Sequence, residues 1–247
     1  MISIALNIEN KRFASEDPVL QAFRGEIKPG KITAIVGPSG CGKSTLLNMI
    51  AGLEISRQSE VQFSGISGEH PRVGYIFQTP RLMPWLTTKE NLELICGKDN
   101  PAIKDTLAAM GILDKQDAYP SQLSGGMQRR VSIARAFVYD PDLLLLDEPF
   151  TSLDAPTADQ LRQQLIALWQ RQQSTMLFVT HDLREAISLA DEIWFLGRPP
   201  TCIIHTLSLS QPPQRLLGDK HSRQTIEDII SALLDTHPEI LSGIVHQ

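Results

Sequence analysis

The run Gly37-Pro38-Ser39-Gly40-Cys41-Gly42-Lys43-Ser44-Thr45 sets glycines beside a lysine and adjacent hydroxyls at a spacing that suits a polyphosphate. Glycine tolerates positive φ, so successive backbone N–H groups can turn inward as a nest for phosphate oxygens. Gly37-x-x-x-x-Gly42-Lys43-Ser44 satisfies the phosphate-loop spacing, in which the lysine reaches the β- and γ-phosphates and the serine hydroxyl takes one position on Mg²⁺. Further along, Asp147-Glu148 ends a leucine run and Ser124-Gly125-Gly126 opens a helical pattern. A carboxylate pair at a strand end suits metal binding and the activation of water, and a Ser-Gly-Gly helix start offers N–H donors to an anion. Gln78 and His181 each follow a strand-like run; taken alone, either reads as a turn or structural residue.

Bringing these groups together requires strands that end at one edge of a sheet. Ile32 to Val36 is a short apolar run that breaks at Gly37, and a helical pattern runs from Lys43 to Ile50, giving the strand, loop and helix that a phosphate loop needs. Leu143 to Leu146 reads as a parallel strand buried on both faces, delivering Asp147 and Glu148 to its carboxyl end, where open α/β sheets place their ligands. Val73 to Phe77 ends at Gln78, and Thr175 to Val179 ends at Thr180-His181-Asp182, which puts His181 beside Glu148. Apolar spacing predicts helices through Met127, Val131, Ala134 and Phe137, through Leu161, Leu165, Leu168 and Trp169, and through Leu183, Ala186, Ile187 and Ala190, the last followed by a strand at Ile193 to Leu196. Such alternation predicts a doubly wound α/β fold.

Around this core, residues 1–30 read as antiparallel strands, with Phe13 an isolated aromatic, and Val61 to Phe63 as another short strand. From Thr79 to about Pro120 the pattern turns helical; its clearest helix has Asn100 as N-cap, Pro101 at the first position, apolar Ile103, Leu107 and Met110, and Gly111 as its stop. Arg198-Pro199-Pro200 begins a looser tail with one helix, Thr225 to Leu234.

The chain of 247 residues carries a net charge of −5 and no long basic run, so nucleic acid is not an expected partner. Cys41, Cys96 and Cys202 are widely spaced and in no metal pattern, which fits a reducing compartment. No apolar run approaches the roughly 20 residues that span a bilayer.

Over about residues 5 to 197 the motifs, in this order, resemble the nucleotide-binding subunits of ABC transporters. Gly37 to Thr45 resembles the Walker A loop, Leu123-Ser124-Gly125-Gly126-Met127 the family signature, Leu143 to Glu148 Walker B with its adjoining glutamate, and Ser152-Leu153-Asp154 the D-loop. Met127 stands where glutamine is commoner, and Phe13 where tyrosine is commoner. The resemblance implies an α/β P-loop NTPase core with a mostly parallel sheet, an N-terminal antiparallel β subdomain and an inserted helical subdomain at about 79–140. It implies a single ATPase domain over 1–200 and a short tail over 201–247 without a separate regulatory domain.

The same resemblance assigns roles. Phe13 would stack on adenine, Asp147 and Gln78 would join Ser44 at Mg²⁺, Glu148 would deprotonate the attacking water, and His181 would contact the γ-phosphate. Leu123 to Met127 of one copy would close over the ATP held by Walker A of another, giving a head-to-tail homodimer. Pro80-Arg81-Leu82-Met83-Pro84-Trp85-Leu86-Thr87 resembles the nitrate, sulfonate and taurine importers and their thiamine-precursor relatives. In that group the segment from Gln78 to Thr87 would dock on membrane permease subunits at the cytoplasmic face, with a separate solute-binding protein outside. Trp85 reads equally as subdomain core or as a docking residue. Cys41, beside Lys43 and a helix start, is expected to be a reactive thiol of lowered pKa. An ABC-type ATPase with soluble partners is the alternative function; a P-loop kinase is disfavoured by the signature.

Overall fold

The computed structural model describes residues 1–13, 17–56, 59–66, 68, 70–209 and 220–237. The chain begins with β1 (Ser3–Lys11), β2 (Leu20–Ile27), β3 (Ile32–Val36), α1 (Lys43–Ile50), β4 (Ser59–Ser64) and β5 (Val73–Ile76). It continues through α2 (Thr88–Cys96), α3 (Ala102–Ala109), two 3₁₀ turns, α4 (Gly125–Phe137), β6 (Leu143–Asp147) and α5 (Ala155–Gln172). Last come β7 (Thr175–Thr180), α6 (Leu183–Leu189), β8 (Glu192–Leu196), β9 (Ile203–Ser208) and α7 (Lys220–Thr236).

The main sheet has the order β5-β6-β7-β3-β8-β9, parallel throughout except for β9, which runs antiparallel to β8 at the edge. Every residue of β3 and β7 is buried, as an apolar run with helices or sheet on both faces requires. The leucines of β6 explain why their pattern does not alternate. Leu144 and Leu146 join a core under α4, α5 and α6, while Leu143 and Leu145 join a second core with α1 and the antiparallel sheet. That smaller sheet, β2-β1-β4, buries Ile4, Leu6 and Ile8 of β1 with Phe23 and Ile27 of β2 against the second core.

The helix α4 packs on β5 as well as on α2, α3 and α5. Its approach to β5 is close because Gly74 has no side chain: a Cβ there would lie 2.7 Å from the Ala136 carbonyl. Thr87 and Glu90 cap α2 reciprocally, Glu90 Oε2 accepting from the Thr87 N–H at 2.7 Å and the Thr87 hydroxyl from the Glu90 N–H at 3.2 Å. Asn100 acts at the start of α3 by accepting from the Ala102 N–H at 3.0 Å, so the first regular helical residue falls after Pro101. The tail is more structured than its composition predicts. Its edge strand β9 follows the Pro-Pro turn, and α7 packs on α6, with Ile226 and Leu233 buried and Arg184 paired to Glu227 at 2.7 Å. The Leu234 side chain lies outside the described residues.

Candidate active site

β3 hands the chain to the phosphate loop at Gly37, and the loop closes at Gly42, which is left-handed at φ +93° and caps α1. Only glycine fits there, because a Cβ would lie 2.7 Å from Val19 Cγ1 and because a side chain disfavours that φ. The first turn of α1 carries no acidic residue of its own, so the positive end of its dipole faces the groove. Lys43 is buried and its ammonium donates to the carbonyls of Gly37 at 2.8 Å and Pro38 at 2.9 Å. The groove above the loop has a volume of about 290 Å³ and is lined by Phe13, Val19, Ser39, Gly40, Gly42, Lys43, Ser44, Thr45 and Glu148. Cys41 is turned the other way, wholly buried. Burial pushes its thiol above the ordinary cysteine range and outweighs the Lys43 charge, which corrects the expectation of a reactive thiol.

The carboxylates arrive as the strand register dictates. Asp147 pairs with Val179 across β6 and β7, and the Glu148 N–H continues the ladder to the Val179 carbonyl at 3.0 Å. Asp147 Oδ1 accepts from the Ser44 hydroxyl at 3.1 Å. Burial raises its pKa, the Ser44 bond opposes the rise, and the neighbouring Glu148 charge reinforces it. Glu148 holds φ +45°, a left-handed conformation that non-glycine residues adopt at a cost. Two donors meet at its Oε2, Thr151 Oγ1 at 3.0 Å and Gln78 Nε2 at 3.4 Å, and His181 Nδ1 stands 3.4 Å from the same oxygen. Residues from the ends of β5, β6 and β7 thus converge on one oxygen.

The signature residues stand elsewhere. Ser124 caps α4 by accepting from the Met127 N–H at 3.3 Å, and with Gly125 and Gly126 it lines a groove of about 590 Å³ shared with Gln78 and Asp154. Asp154 caps α5 through the Thr157 N–H at 3.2 Å. Leu123 is buried in the core and Met127 packs against it. This groove and the one above the phosphate loop have no lining residue in common. Within one chain, then, the signature is brought to Gln78 and the D-loop, not to Lys43.

These features meet in a known family. A match to the family described as ABC transporter spans residues 20–151. The chain belongs to that family. It is 38% identical to an aliphatic sulfonates import ATP-binding protein of Xanthomonas axonopodis pv. citri over 95% of this chain and 97% of that relative. It is 38% identical to the protein of that description in Bacillus subtilis, over 88% and 90%, and 42% identical to one in Pseudomonas syringae pv. syringae, over 82% and 84%. Among solved structures, an ATP-binding cassette in a dimeric post-hydrolysis state with ADP and Pi superposes with a TM-score of 0.72 at 28% identity, covering 84% of this chain and 99% of that one. The cassette described here is accordingly an ATP-binding ATPase with the P-loop fold.

Two parts of the cassette's site carried no sequence signal that singled them out. Thr151, three residues past Glu148, has the shortest of the three contacts to its carboxylate, yet a threonine after Pro149-Phe150 looks like any turn residue. Arg129 and Arg135 on α4 reach back to the segment after β5. Arg129 donates to the carbonyls of Phe77 and Gln78, and Arg135 to those of Pro80 and Arg81 at 3.1 and 2.9 Å. Main-chain carbonyls leave no signature in a sequence. Beyond them Trp85 is 71% exposed, which removes the core reading for that residue. Its loop is held by the buried Asn91, whose amide accepts from the Met83 N–H at 2.8 Å and donates to the carbonyls of Met83, Leu86 and Thr87.

Proposed function

We propose that this cassette energises the import of an aliphatic sulfonate, as a peripheral subunit on the cytoplasmic face of a membrane. The observation that carries the solute class is the identity of 38–42%, over most of both chains, to relatives described as aliphatic sulfonates import ATP-binding proteins. Among the described residues no helix is long and apolar enough to cross a membrane; in this reading the partner subunits supply the membrane attachment. The exposed Trp85 loop between Gln78 and Thr87 is where we place the contact with the permease. A solute-binding protein outside the membrane would choose the sulfonate, and two cassettes would pair head to tail.

In the reaction we propose, Phe13 stacks on adenine and the loop of residues 37–45 cradles the phosphates, with backbone N–H groups drawn from Ser39, Gly40 and Gly42 to Thr45, which line the groove. Ser44 Oγ and the Asp147 carboxylate, 3.1 Å apart, form an all-oxygen donor set of the kind Mg²⁺ prefers, with Gln78 close by at Glu148. A Mg²⁺ bound there would offset charge on the β- and γ-phosphates. Glu148 takes a proton from water as the water oxygen bonds to the γ-phosphorus and the bond to the β–γ bridging oxygen breaks, leaving ADP and phosphate. His181, through Nδ1, keeps the Glu148 carboxylate in place and presents its far side to the γ-phosphate. Ser124 to Gly126 of the second copy complete the phosphate shell.

Affinity purification of the tagged cassette from its own cells, in mild detergent with ATP and Mg²⁺, tests the assembly. We expect integral membrane proteins in equal number with the cassette, and uptake of a labelled alkanesulfonate that stops when the cassette is deleted. Recovery of soluble partners alone would overturn the transport reading. A membrane partner with unchanged sulfonate uptake after deletion would overturn only the solute class.

A further inference from the structure

The connection between β8 and β9 runs beneath the phosphate loop, and Thr201 within it is wholly buried. Its hydroxyl donates to the Cys41 carbonyl at 2.6 Å. Its backbone is stitched to the entry of β2, the Thr201 N–H donating to the Val19 carbonyl at 2.9 Å and the Gln21 N–H to the Thr201 carbonyl at 3.5 Å. A buried carbonyl needs some partner, and a threonine could do no more than satisfy it. The position of this particular carbonyl argues for more.

Cys41 C=O and Gly42 N–H belong to one peptide plane. In a trans peptide the two point in opposite directions, so a carbonyl fixed inward on Thr201 aims the Gly42 N–H outward, toward the groove that Gly42 and Lys43 line. The loop cannot set this plane by itself. Gly40 and Gly42 both sit at positive φ, and glycine has several backbone wells of similar energy, so an anchor outside the loop must choose one. The same connection secures Val19, which abuts Gly42 and lines the groove beside it.

We propose that Thr201 is a positioning residue of the nucleotide site, its hydroxyl fixing the Cys41–Gly42 peptide plane so that the Gly42 N–H is presented to a phosphate of ATP. This rests on the phosphate loop being the ATP site, which equilibrium binding of ATP to the wild-type cassette checks before any variant is made. Thr201→Val keeps the shape and removes the donor, Thr201→Ala removes both, and Thr201→Ser restores the hydroxyl. Steady-state phosphate release on the full chain should show KM for ATP raised about five- to tenfold in the Val and Ala variants, the worth of one hydrogen bond, with kcat at saturating ATP held within about twofold. The Ser variant should return KM to within about twofold of wild type. If Thr201→Val does not fold, the Ala and Ser pair gives the same comparison. A KM unchanged in Val and Ala would overturn the proposal. So would a Ser variant as impaired as Val, or thermal midpoints that fall while KM stays fixed, since that is a merely structural threonine.

Discussion

Glu148 shows how much of the chemistry is settled by one side chain's surroundings. It is held at φ +45° by the ladder bond to Val179, and its Oε2 is committed to Thr151, His181 and Gln78. A conformation that costs on the order of 1–3 kcal/mol persists only where the surroundings impose it. Glu148→Gln preserves that shape and removes the base, so kcat should fall by about 10²–10⁴ while ATP affinity stays within about threefold. Phosphate release together with equilibrium nucleotide binding checks this; substantial turnover would remove Glu148 from the role of base. Cys41 gives the opposite lesson. With its thiol buried and its pKa raised, it should alkylate far more slowly than the exposed Cys202 in the native protein, and equally fast once unfolded. Peptide mass spectrometry after timed iodoacetamide labelling separates the two.

At the scale of elements, the helices behind the site are fastened by charge as well as by apolar packing. Arg162 of α5 lies 3.4 Å from Glu185 of α6 and 2.6 Å from Asp159, tying the helix after the D-loop to the helix after His181. Burial pushes the Glu185 carboxyl up to about 7, against the pull of Thr180 and Arg162. Between the ordinary carboxylate range and about pH 7 the folded state therefore binds more protons than the unfolded chain. Stability falls as pH rises through that window and levels off above it. Glu185→Gln keeps an acceptor for Arg162 and should flatten this slope; urea midpoints at about pH 5 and about pH 8 would converge in the variant and differ in the wild type. An unchanged slope would mean that another group carries it. Over the same core, Arg129 and Arg135 fasten α4 to the backbone after β5, so that Gln78, the Trp85 loop and the signature helix are joined through main-chain carbonyls.

For the whole molecule the decisive fact is that the phosphate groove and the signature groove are separate. An ATP site that needs both would have to take one from each of two copies, in a head-to-tail pair closed by two-fold symmetry. That arrangement predicts complementation. Lys43→Ala damages one half of each site and Gly125→Asp the other, so either variant alone should be inactive. Mixed in equal amounts they should recover roughly a quarter of wild-type turnover, because about half the dimers are mixed and each carries one intact site. No recovery on mixing, with both variants folded, would count against the composite site.

The sequence alone determined the parts whose chemistry is local. Glycine spacing, a lysine at a helix start and hydroxyls beside it mark an anion loop, and the apolar runs of β3, β6 and β7 specify buried parallel strands because both faces are covered. Strand ends that carry Asp147, Glu148 and His181 follow from those runs. What the tertiary structure decided are the contacts between segments far apart in the chain. It turned Cys41 inward, exposed Trp85, brought Thr151 and Gln78 to one carboxylate oxygen, and seated Thr201 under a loop 160 residues away. Edge strand β9 escaped the sequence reading because an edge strand is only half covered, and its alternation of half-buried and exposed residues is too weak to stand out after Pro199-Pro200. Hydrogen bonds to backbone carbonyls, as those of Arg129, Arg135 and Thr201 are, depend on where the chain passes and not on which residue it presents there, so only the folded structure contains them.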